Sequence, residues 1–217
     1  MRKAMTSLLL TAALLPAPAG AAEECRKAVE DAFTKQRTAK GFRFTAEMPS
    51  AEGPTRMTID YMPPDRMYQK VEAPGHQKPV ETIAIARWAW GTMGGGWEEL
   101  QPQFAQSITS HVHETLVAPL QITADFSCLG KVAFEGTEYV GYRAAQPSTL
   151  ATAEPNAPAL ARTLYVDAAN GLPMRNVVAK LDGSEPPVFV GRYAYPTDIA
   201  IEAPVGGQDI APSNAAK

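Results

Sequence analysis

The chain has 217 residues, 45% of them hydrophobic, and a formal net charge of −3 from 20 Lys and Arg against 23 Asp and Glu. That length is about one domain and enough to bury a core. A mildly acidic chain without basic runs has no electrostatic footprint for nucleic acid, which argues against that class of partner.

Arg2 and Lys3 open a short positive stretch, and Ala4 to Leu15 is uncharged and dominated by Leu and Ala. Pro16 and Pro18 break it, and Ala19-Gly20-Ala21-Ala22 follows. This is the order of a cleavable secretory signal. The apolar run of about 12 residues is shorter than the ~20 that a bilayer span needs. Cys25 stands behind Glu23 and Glu24, a poor fit to a lipoprotein acceptor site. The expectation is that residues 1–22 are removed and that 23–217 form a single domain of net charge −5. No later segment has the ~18 apolar residues of a membrane helix. The expected location is the periplasm, if the host is Gram-negative. In an oxidising compartment, Cys25 and Cys128 are expected to form one disulfide. It would close a loop of roughly 100 residues, for which chain entropy gives about 4–5 kcal/mol.

Residues 23–39 read as an amphipathic helix, with Cys25, Ala28, Val29, Ala32 and Phe33 at helical spacing and Gly41 as its stop. Strand signals follow. Phe42, Phe44, Ala46 and Met48 alternate with Arg43, Thr45 and Glu47; Met57, Ile59 and Tyr61 alternate with Thr58 and Asp60. Pro63-Pro64-Asp65 is a turn, Arg66 to Glu72 is extended, and Glu81 to Trp90 reads as one further strand. Gly91 to Gly96 then turns the chain into Trp97–Leu100. Residues 103–117 read as helical, with Phe104, Ile108, Val112 and Leu116 four apart. Strands return at Lys131–Phe134, Tyr139–Arg143, Arg162–Asp167, Pro173–Leu181 and Val188–Tyr195, with Asn170-Gly171 in a hairpin turn. Residues 144–160, rich in Ala and Pro, are expected to be a mobile loop, and 207–217 a flexible tail. The sum is a mainly β (α+β) fold of about nine or more antiparallel strands, covered on one face by helices.

Chemistry-bearing motifs are sparse. His111 and His113 form an H-x-H pair, but on a helix the two point about 200° apart, which is poor for a metal. Gly94-Gly95-Gly96 lacks the Lys-Ser/Thr of a phosphate loop and reads as a hairpin turn. No nucleophile elbow, zinc-protease motif or C-x-x-C is present. The expectation is a non-enzyme with no metal or cofactor. Apolar bulk is richer. Trp88, Trp90 and Trp97 cluster across one candidate hairpin, and Phe42, Phe44, Met48, Met57, Ile59, Tyr61 and Met67 lie on neighbouring strands. Phe104, Ile108 and Leu116 of the helical insertion join them as candidates. Such residues build either an ordinary core or the wall of a hydrophobic ligand cavity; composition does not separate the two.

The order of the pieces resembles the LolA/LolB-like periplasmic lipoprotein-carrier superfamily over residues 24–206. A helix precedes FRFTAEM and MTIDYMPPDRMYQKVEAPG. ETIAIARWAWGTMGGGW looks like the segment ending in a displayed aromatic hairpin, and LYVDAANGLPMRNVVA with DIAIEAPVG like the closing segments. The resemblance implies a strongly curved antiparallel sheet, an incomplete β-barrel, with helices covering the concave face over a hydrophobic cavity. It implies a ligand of lipid or lipoprotein acyl chains, and it sets Arg43 in the place of the family's lid-contacting arginine. The alternative on the same fold is an envelope protein-interaction module, a sensor or assembly factor, that uses a sheet edge or the Trp hairpin.

Overall fold

A computed structural model of the protein describes residues 19–145 and 159–205. Most of the expected leader, the centre of the 144–160 loop and the 207–217 tail lie outside the described residues. In chain order the elements are α1 (Ala19–Arg37), β1 (Phe42–Met48), β2 (Thr55–Met62), β3 (Arg66–Glu72), β4 (Val80–Ile85), β5 (Trp88–Thr92) and β6 (Glu98–Glu99). Then come α2 (Pro102–Leu116), β7 (Ser127–Phe134), β8 (Thr137–Ala145), β9 (Leu160–Val166), β10 (Pro173–Lys180) and β11 (Phe189–Ala194). Ala144, Ala145 and Leu160, expected in the loop, belong to strands: Ala145 pairs with Ala161 across β8 and β9.

All eleven strands form one antiparallel sheet in the order β6-β5-β4-β3-β2-β1-β11-β10-β9-β8-β7. The sheet is two meanders joined where β1 meets β11. It stays open, because β6 and β7 end it without pairing to each other. This is the antiparallel sheet expected from the strand pattern, left open as the family resemblance implies. The topology explains the helical insertion: the chain leaving one edge at β6 must reach the opposite edge at β7, and it does so through α2 and residues 117–126. Pro102 starts α2 where a missing N–H costs nothing.

Alternation sets the register. Phe42 faces Tyr61, Phe44 faces Ile59 and Ala46 faces Met57 across β1 and β2, and Phe44 faces Tyr193 on β11. These stand on the face toward the helices. The intervening positions pair Arg43 with Asp60, whose carboxylate takes two bonds from the guanidinium at 2.6 and 2.8 Å. Arg43 therefore lies on the opposite face, tied to Asp60, and does not reach the helices.

The largest departure from the sequence reading is at Glu81–Trp90. It is not one strand but a hairpin. β4 and β5 pair from Ile85↔Trp88 outward, around a two-residue turn at Ala86-Arg87. Ala86 adopts φ 53°, a left-handed conformation that Ala rarely takes. Its N–H donates to Asp65 O at 3.1 Å, which holds the turn without Gly, Asn or Pro. The expected Trp97–Leu100 strand shrinks to the two residues of β6. By contrast, Glu135-Gly136, both at positive φ, make a tight turn between β7 and β8 of the kind hairpins favour.

Three apolar clusters hold the layers. Under α2, Ala105, Val112 and Leu116 pack on Phe42, Tyr61, Met67, Ala84 and Ala89. The two strand alanines are fully covered and let the helix approach closely. Under α1, Cys25, Val29 and Ala32 pack on Phe126, Ala144, Leu164 and Val166, and the Cys25–Cys128 disulfide joins this helix to β7. The third cluster unites Ile83, Ile85 and Trp90 with Ile199 and Ile201 of the segment after β11. Arg66 donates to Ile201 O at 2.6 Å and fixes that segment. No helix among the described residues is long and apolar enough to cross a membrane.

Candidate functional site

Each helix is committed to one half of the sheet. α2 lies over β4 and β5, and α1 over β7 and β10. Between them, over β1, β2 and β11, the sheet is not fully covered, and a cavity of about 550 Å³ opens there. Phe42, Phe44, Met57, Ile59 and Tyr61 form its sheet side. Phe33 and Gln36 enter from α1, His111 and Thr115 from α2, and Leu120 and Ile122 from the bridging segment. A second cavity of about 240 Å³ adjoins it past Phe33, Gln121 and Ile122, which border both.

Aromatic rings shape the floor. Phe42 stacks on Tyr61 with centroids 4.9 Å apart, and Phe44 lies 5.1 Å from Tyr193. The Phe44 ring is flat over Gly191 of β11, where a β-carbon would come within 2.5 Å of it. Glycine at that position thus lets Phe44 lie back and leaves the space above it open.

The polar groups of the cavity are anchored. Tyr61 Oη lies 3.0 Å from His111 Nε2, which ties β2 to α2. Gln36 donates to Tyr195 Oη at 3.2 Å, and Tyr195 in turn donates to Pro173 O at 2.7 Å. Arg37, the last residue of α1, donates to Ala118 O at 2.5 Å and Glu114 O at 2.7 Å. It satisfies carbonyls at the C-terminal end of α2, where a cation is favoured. The arginine that joins one covering element to another is therefore Arg37, not Arg43.

Burial pushes Tyr61 and Tyr193 up to about 12 from the ordinary value, partly opposed by hydrogen bonds from Thr115 and Asn176 respectively. Burial raises Tyr195 as well. A phenol with a raised folded pKa stays protonated in the fold while the unfolded chain loses its proton near pH ~10. These tyrosines therefore give full stability below about pH 10 and lose it as pH rises through about 12. Thermal unfolding followed from neutral to strongly alkaline pH should show the melting temperature falling in that window. A flat profile there would contradict the buried, protonated phenols.

The residues singled out from the sequence divide into four groups. Phe42, Phe44, Met57, Ile59 and Tyr61 line the cavity. Met67 and Leu116 lie in the core beside it, with Ile108 packed against that core. Trp88, Trp90 and Trp97 do not face the cavity: they belong to the cluster with Ile201, and Trp90 is 3% exposed. The hairpin turn at Ala86-Arg87 reverses the face that a single strand would have given them, and the segment after β11 covers them. Met48 and Phe104 reach the surface at 37% and 58% exposure. Sequence reasoning missed Gln36, Arg37, Thr115 and Tyr193, and set His111 aside as poorly placed for a metal. Gln36 carried a readable signal, a polar residue four after Ala32 on the buried stripe of α1. Among the described residues no group of His, Cys, Asp and Glu is placed to hold a metal ion.

No protein-family model matches the chain, and no curated protein sequence does. Solved structures do. LprF from Mycobacterium bovis matches with a TM-score of 0.52 and 10% identity, over 84% of this chain and 97% of its own. Lipoprotein LppX from Mycobacterium tuberculosis matches with a TM-score of 0.50 and 8% identity, over 83% of this chain and 99% of its own. A LolA superfamily protein from Nitrosomonas europaea matches over 80% of this chain and 91% of its own at 10% identity, with a TM-score of 0.30, too low to weigh. The likeness to LprF and LppX is one of fold: an open, curved antiparallel sheet with covering helices.

Proposed function

We propose that the protein binds a hydrophobic ligand, a lipid or an acyl chain, in the cavity between the helices and β1, β2 and β11. We further propose that it does so as an exported periplasmic carrier, without catalysing a reaction. The observation that supports this reading is the cavity itself. Its volume of about 550 Å³ falls in the ~300–1,000 Å³ range of small-molecule sites. Its walls are mostly Phe, Tyr, Met and Ile side chains from three strands, α1 and the bridging segment, with His111 and Thr115 from α2. Binding would be physical: each buried methylene contributes about 0.8 kcal/mol. The cavity is open in the gap between the two helices, and Arg37, with its bonds to Ala118 O and Glu114 O, bridges them beside it.

The interaction-module alternative loses one of its two named surfaces, because the Trp hairpin is covered by the segment around Ile201, and keeps the other, the sheet edges at β6 and β7. A fluorescent fatty acid titrated into detergent-free protein tests the carrier reading. Saturable uptake is expected, reduced at least about tenfold by Phe44→Glu, since burying a carboxylate on the apolar floor is strongly unfavourable. No uptake by the native protein, or equal uptake by the variant, would count against the cavity as the site.

A further inference from the structure

The cavity carries a sign of charge that a purely apolar ligand does not need. Arg37 and His111 line it and no Asp or Glu does, although the whole chain is net −3. Arg162 lines the adjoining cavity, again with no lining carboxylate. Arg37 is half-buried, and its two short bonds go to neutral carbonyls. None of the ion pairs among the described residues includes it. Burial alone acts on its guanidinium, with no anion to offset the loss of water. A partly desolvated guanidinium without a carboxylate partner favours an anion brought by a ligand.

The lining is also two-sided. The sheet side is mostly apolar, with Gln69 its one amide, whereas Arg37 and His111 both come from the helices, alongside the apolar Phe33. At ~30 Å³ for a group the size of a water, the cavity of about 550 Å³ takes roughly 18 such groups, one long acyl chain. We infer that the ligand is a single-chain anionic amphiphile, with its tail on β1 and β2 and its carboxylate or phosphate head on Arg37. The inference rests on the binding function proposed above and names its ligand class.

The test compares hexadecanoic acid, hexadecyl phosphate and hexadecanol as competitors of a neutral fluorescent lipid probe. One or both anionic ligands should bind about tenfold or more tightly than the alcohol, as expected for hydrogen bonds to a charged group. The preference of acid over phosphate identifies the head. Arg37→Gln should bring the anions down to the alcohol, Arg37→Lys should keep most of the preference, and rising salt should shrink it. Equal binding of acid, phosphate and alcohol by the native protein would overturn the inference while leaving the cavity as a lipid site. A preference that survives Arg37→Gln but is lost in Arg162→Gln would overturn the Arg37 assignment. If the probe itself does not bind, the cavity function fails, and the inference with it. Should Arg37→Gln not fold, the native preference and its salt dependence still decide.

Discussion

Replacing Phe42 by alanine should destabilise the protein by about 3–5 kcal/mol, the range for deleting a fully buried aromatic ring. Phe42 is 2% exposed, stacks on Tyr61 and packs into the cluster that receives Val112 and Leu116 of α2. Its removal leaves a void that the paired strands on either side cannot close, because the register of β1 with β2 and β11 holds the backbone in place. Phe44→Ala should behave differently. Phe44 is only half-buried, with part of its ring facing the cavity, so the loss of stability should be clearly smaller. Denaturant unfolding of the two variants beside the native protein measures the difference. Equal losses would show that Phe44 is packed as tightly as Phe42 and that the space above it is filled.

Removing the Cys25–Cys128 disulfide should cost about 2–5 kcal/mol. The bond spans 103 residues of sequence, and the chain-entropy value for a loop of that order is about 4.7 kcal/mol. At 2–4 °C per kcal/mol for a domain of this size, the melting temperature should fall by roughly 10 °C. The pair does more than close a loop. Cys25 is buried beside Val29, Ala32 and Phe126, so the bond fixes α1 at the far edge of the sheet and leaves its Arg37 end to meet α2. A Cys25→Ser, Cys128→Ser double variant should match the reduced native protein in stability. A melting temperature unchanged in both would mean that α1 is held by packing alone.

The strands around the cavity were legible because their alternation is clean. Phe42, Phe44, Met57, Ile59 and Tyr61 fall at period two, and the pairing of β1 with β2 leaves them on one face. The order of elements was legible for the same reason. The hairpin at Ala86-Arg87 was not, since its turn uses a left-handed alanine held by Asp65 O, a contact from the turn between β2 and β3 that no local pattern announces. That one missed turn also misplaced the tryptophans, because a reversal of the chain changes which face each side chain takes. Arg43 illustrates the converse. Its alternation with Phe42 and Phe44 already sent it to the other face, where it meets Asp60. The roles of Arg37 and His111 depend on two helices meeting over a gap in the sheet. That is a property of topology, which periodicity along one segment does not encode.

The proposed lipid function is tested most directly by native mass spectrometry of the protein purified from its own host without detergent, followed by solvent extraction and analysis of whatever is released. The account predicts adducts of one molecule per chain, with the mass of a long-chain lipid, that are lost from Phe44→Glu. A bare protein mass, together with no uptake when lipid is supplied afterwards, would contradict it.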